Sequence, residues 1–127
     1  MNGWHRPDEC ARYHDLVHDF TFTRPTITTL CGSTRFRDEF LAAQRDLTLK
    51  GEIVISVGLF GHYEGLDMLG PTKIMLDQLH LWKIELSDGI FVVSRDGYIG
   101  ESTRREIDFA ESLNKNVRYL EPQEAYA

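Results

Sequence analysis

Two short stretches of this chain combine residue types suited to gripping a small anion and to carboxylate chemistry. The first is Cys31-Gly32-Ser33-Thr34-Arg35, at the junction of an apolar run and a helical pattern. Gly32 permits a sharp turn or a close approach to a ligand. Ser33 and Thr34 bring hydroxyls and backbone N–H groups to a helix start, where anions are favoured. The Arg35 guanidinium grips phosphate through two parallel hydrogen bonds. A cation there opposes the helix dipole unless an anion is bound. An anion site is therefore preferred to a plain serine cap with a solvated arginine. The second stretch is GYIGESTRREIDFA, residues 97–110. Gly97 and Gly100 bracket a turn containing Tyr98, a candidate substrate contact, and Ser102 or Thr103 caps the helix that follows. Thr103 and Glu106 have capping-box spacing. Ser102 and Glu106, four residues apart, share one side of that helix. Glu106 is thus either a cap or a carboxylate that binds a sugar or attacks its carbon.

Other candidates are less specific. In LHLWKIELSD, His80, Lys83 and Ser87 share a helix face. His80 suits acid–base work or substrate binding, or is a partly exposed polar residue. His62 and Tyr63 follow the second apolar run and either contact a ligand or serve as packing or loop residues. Cys10, His14 and His18 are spaced four apart on one helical face. Three ligands without a fourth make a weak zinc set, so a solvated polar face is preferred and no metal site is assigned.

The elements that must carry these residues alternate. Residues 7–20 form an amphipathic helix pattern entered through Pro7, with Tyr13, Leu16, Val17 and Phe20 as its stripe. Strand-like runs follow at 26–31, 53–57, 90–94 and 117–120. Helical patterns lie between them at about 34–49, 72–87 and 101–113. The first of these aligns Phe36, Phe40, Ala43 and Leu47, with Gly51 as a stop signal. The second aligns Met75, Leu79, Trp82 and Leu86 behind Pro71, and the third Ile107 and Ala110. Such alternation implies a parallel sheet with helices on both faces; the expected fold is a three-layer α/β, flavodoxin- or Rossmann-like doubly wound sheet of about four to five strands in the order 2-1-3-4. Residues 1–24 form an N-terminal helix and linker, and 25–127 the α/β domain. In that order the loops after strands one and three meet at the crevice where such sheets bind ligands.

Composition narrows the class. At 42% hydrophobic and 27% charged residues, the chain has the usage of an ordinary globular domain. A net charge of −6 argues against coating a nucleic-acid polymer. Two cysteines without paired spacing suggest thiols in a reducing compartment. No run is long enough to span a bilayer, and no signal-peptide pattern opens the chain. A cytoplasmic protein that avoids membranes is expected.

CGSTRF, the SD that leads into the third strand, and GYIGESTRREIDFA together resemble the nucleoside 2-deoxyribosyltransferase-like superfamily. The opening is most similar to its deoxynucleoside 5′-monophosphate N-glycosidase branch. The match covers about residues 26–120. The resemblance implies that Glu106 is the nucleophile that attacks C1′ of the sugar and expels the base. It also implies that Ser33 and Arg35 hold the 5′-phosphate, that Ser102 or Thr103 lies near phosphate or sugar, and that Asp88 fills the site aspartate at strand three. The family's helix aspartate falls on His80, and the aromatic residue usual before the first loop is absent from TTLC. A homodimer or higher homo-oligomer and no metal or organic cofactor are implied. The expected function is a nucleotide N-glycosidase or deoxyribosyltransferase. The competing reading is a non-catalytic nucleotide-binding module on the same fold.

Overall fold

The computed structural model describes residues 23–65 and 69–123, apart from the side chains of His62 and Tyr63. The helix expected at 7–20, with its Cys10, His14 and His18 face, lies outside the described residues. The chain runs β1 (Ile27–Gly32), α1 (Arg37–Leu49), β2 (Ile53–Ile55), α2 (Gly61–Glu64), α3 (Gly70–Leu86), β3 (Gly89–Val93), α4 (Glu101–Ser112) and β4 (Asn116–Tyr119).

β1 and β3 are rich in β-branched and apolar residues and largely buried, as suits central strands of a parallel sheet. The shorter β2 and β4 are partly exposed at the edges. All four strands are parallel, in the order β2-β1-β3-β4, which is the doubly wound order expected from the sequence. α1 buries Phe40, Ala43 and Leu47 against Leu30 and Val93 on one face of the sheet, and Gly51 ends it with a positive φ of 90°. On the opposite face, Ile84 of α3 and Ile107 and Ala110 of α4 pack with Cys31, Ile90 and Val92. The helices after β1 and β3 therefore leave on opposite sides, and the crevice lies between them.

Two expectations are corrected. The first helix does not begin at 34. Ser33 to Phe36 form a turn, closed by the Phe36 N–H donating to the Ser33 carbonyl at 3.0 Å, and α1 starts at Arg37. Phe36, 5% exposed, is drawn into the core beside Phe40, and the turn is what brings it there. Arg35 thus lies in the turn and not in the first helical turn. On α3 the apolar line faces outward: Met75, Leu79, Trp82 and Leu86 are 47–67% exposed, whereas His80 and Ile84 are buried. The stripe is real, but the core takes the neighbouring face. A buried histidine behind an exposed apolar row is the reverse of ordinary partitioning.

Gly32 is needed for strand packing. A Cβ there would lie 2.3 Å from the Val93 carbonyl oxygen, at a φ of +150°. Gly32→Ala is expected to lower unfolding stability by roughly 2–3 kcal/mol, read from urea unfolding midpoints. A loss under a few tenths of that range would contradict this account of β1–β3 contact.

Candidate active site

The carboxyl ends of β1 and β3 open into a cavity of about 890 Å³, within the ~300–1,000 Å³ typical of small-molecule sites. Gly32, Ser33, Thr34 and Arg35 line it from the loop after β1. Tyr98, Gly100, Ser102 and Thr103 line it from the loop after β3 and the start of α4. His80 comes in from α3 and Glu106 from α4. The topology therefore brings together residues separated by most of the domain.

Asp88 does not join them. It precedes β3, at the amino ends of the strands, and the length of β3 holds it ~16 Å away from the cavity end. Its carboxylate accepts the Ile27 N–H at 2.8 Å and the Arg24 guanidinium at 2.6 and 3.1 Å. The Arg24 hydrogen bond, then the Ile27 N–H, holds its carboxyl below the ordinary aspartate value. Asp88 is an anchor for the entry into β1 and not a site residue. The backbone of His62 belongs to α2, and its side chain lies outside the described residues.

At one end of the cavity the two loops touch. Arg35 Nε donates to Ser33 Oγ at 3.1 Å, and the guanidinium sits 5.0 Å from the centre of the Tyr98 ring. Stacking fixes the cation's orientation. The helix N-terminus at this site is that of α4. Gly100 is its N-cap, without a side-chain capping bond, and Ser102 and Thr103 of its first turn line the cavity. Unpaired N–H groups and the positive end of the helix dipole favour an anion there.

Deeper in, α4 argues against the capping reading of Glu106. With Gly100 as N-cap, Glu106 falls in the second helical turn, too far along to reach back as a cap. Its side chain is 16% exposed, and Oε1 lies 3.7 Å from His80 Nε2. Cys31 Sγ lies 3.3 Å from the same nitrogen. Burial lifts the Glu106 carboxyl to about 7, against a hydrogen bond from the Cys31 thiol that lowers it, and nearby Asp77 adds to the rise. Burial, aided by the Lys83 charge, lowers His80 to about 4. The imidazole is therefore neutral at neutral pH, and its contact with Glu106 is not a full ion pair. The imidazolium, and with it a proton for His80 to donate, is scarce near neutral pH. Burial and then Glu106 push the Cys31 thiol well above its usual value, so this fully buried sulfur is a poor nucleophile.

Lys73 and Asp77 of the cavity carry no expectation from sequence, and Lys83 only the helix face it shares with His80. Lys73 and Asp77, paired at 2.8 Å, line the wall. Lys83 also lines it, and its Nζ donates to the Ser56 carbonyl at 2.9 Å. The signal was present: Lys73, Asp77, His80 and Lys83 recur at helical spacing beside the apolar stripe. Ser87, on that same face, instead donates to the Ile84 carbonyl at 2.8 Å.

A buried carboxyl titrating this high has a consequence for stability. Its folded value lies above the ordinary glutamate value, so its stabilising contribution is complete at low pH and is lost as pH rises through about 7. In chelator-treated protein, Glu106→Gln is expected to stabilise the fold above neutral pH by roughly 1–3 kcal/mol and to have little effect near pH 4. Melting curves across pH check this; a Glu106→Gln effect that does not grow with pH would contradict it.

Compared with protein-family models and with curated proteins, the chain matches none. Fold and cavity define a doubly wound α/β protein with a buried, high-pKa carboxylate on the wall of a ligand-sized cleft. No described helix is long and apolar enough to cross a membrane.

Proposed function

We propose that this protein is a nucleotide N-glycosidase or deoxyribosyltransferase that cleaves the N-glycosidic bond of a nucleoside 5′-monophosphate. The observation that carries the reading is Glu106 itself, largely buried, yet on the wall of the cavity that also holds Ser33, Arg35 and the start of α4. Perturbed carboxyls in clefts mark functional sites. The 5′-phosphate binds to Arg35, Ser33 and the α4 N–H groups. The sugar then reaches Glu106. An ionised Glu106 oxygen bonds to C1′ as the C1′–N bond breaks, and the base leaves with the bonding electrons and takes up a proton. Water or a second base then attacks C1′ and frees the carboxylate. The logic is that of retaining glycosidases, with phosphate affinity spent on positioning in the transition state. His80 is a positioning residue in this scheme.

The test is chromatography of free base from a panel of ribo- and deoxyribonucleoside 5′-monophosphates, in the presence of chelator. Release from at least one is expected. Nucleotides that raise the melting temperature without any release would reduce the reading to a binding module; neither effect would overturn both.

A second copy of the chain is proposed to cover the exposed α3 stripe, because Leu79 belongs both to that stripe and to the cavity wall. Docking there would close the site from one side. Sedimentation equilibrium is expected to show a dimer, and Trp82→Glu a monomer. A monomeric wild type at the same concentration would contradict this.

A further inference from the structure

Cys31, His80 and Glu106 converge from three separate elements, β1, α3 and α4. Their ligating atoms all lie within 4.8 Å of one another. Around a tetrahedral zinc, with bonds of about 2.0–2.3 Å, neighbouring ligand atoms stand roughly 3.3–3.6 Å apart. The sulfur-to-nitrogen distance of 3.3 Å and the nitrogen-to-oxygen distance of 3.7 Å are close to those edges. His80 and Glu106 line the cavity, whereas Cys31 lies behind them, fully buried. A metal among the three would keep its fourth position toward the cavity, the arrangement of an open zinc site.

We infer that Cys31, His80 and Glu106 form a site for Zn²⁺ and that its occupancy switches the enzyme off by taking Glu106 out of reach of C1′. The inhibitory half rests on the function proposed above; the binding half does not. Thiolate and imidazole select zinc over magnesium or calcium, which require oxygen donors. Binding is redox-neutral: Zn²⁺ displaces the thiol proton, and the carboxyl proton where one is present, into solvent. The strand and two helices that hold the three side chains are packed into one core cluster through Cys31, Ile84, Ile107 and Ala110, so little reorganisation is required.

The experiment titrates chelator-stripped full-length protein with Co²⁺ as a spectroscopic stand-in for zinc. A thiolate-to-cobalt charge-transfer band and the strong visible bands of four-coordination are expected, and both should vanish on adding Zn²⁺. Cys31→Ser should lose the charge-transfer band. His80→Gln should lose it as well, and serves if Cys31→Ser does not fold. Cys10→Ser should keep it. No band in the wild type overturns the site. A band that survives Cys31→Ser or disappears in Cys10→Ser moves the metal to the N-terminal cysteine and also overturns it. In parallel, stoichiometric Zn²⁺ should bring base release to background. Base release unchanged by a fully bound metal overturns the inhibitory half alone. A protein that binds Co²⁺ at Cys31 but releases no base from any nucleotide leaves the metal site standing and removes the switch.

Discussion

Glu106→Gln is expected to abolish base release while nucleotide still binds. The loss expected is on the order of 10³–10⁶-fold in kcat, as for removal of a covalent nucleophile. The amide keeps the shape and removes both the charge and the attacking oxygen. Wild-type kcat/KM is expected to rise with pH and level off above about 7, the value to which burial lifts this carboxyl. The sign follows from the chemistry: below that value the group holds its proton and cannot attack C1′. A profile that falls across the same range, or a Glu106→Gln protein with wild-type turnover, would remove Glu106 from the chemistry.

Arg35→Ala is expected to separate phosphate recognition from the rest of the site. Charge-assisted hydrogen bonds contribute about 1.5–3 kcal/mol each, so loss of the guanidinium should weaken nucleoside 5′-monophosphate binding by roughly 10²-fold. Calorimetry in the Glu106→Gln background avoids turnover during the measurement. Affinity for the matching nucleoside, which lacks the phosphate, should barely change, and Arg35→Lys should restore only part of the loss because it cannot form the bidentate pair. Equal losses for nucleotide and nucleoside would mean that Arg35 acts through packing on Tyr98 and not on phosphate.

The sheet was legible because its signal is local and repeated. Apolar runs at β1 and β3 alternate with helical patterns, and that alternation implies a parallel sheet with helices on both faces; the observed order is the doubly wound one expected for it. The two glycine-bearing loops could be placed at one crevice for the same reason. What sequence misjudged depends on tertiary choice. Period alone identifies an apolar stripe on α3 but does not say whether the core or another surface takes it; here the core takes His80 and Ile84 instead. The start of α1 moved because burying Phe36 requires a turn at 33–36. Asp88 is a site residue only by resemblance, and it lies at the amino end of β3, away from the cavity and tied to Arg24. The contact between Cys31, His80 and Glu106 was beyond any spacing rule, since it joins residues far apart in the chain.

The most direct measurement is peptide mapping of the protein quenched during turnover, using a 2′-fluoro analogue of a nucleotide it cleaves to slow breakdown of the intermediate. A sugar-phosphate mass on the peptide that contains Glu106, absent from Glu106→Gln, is the expected result. An adduct on another residue such as Cys31, or sustained base release with Glu106 unmodified and replaceable, would contradict the claim that Glu106 is the glycosyl acceptor.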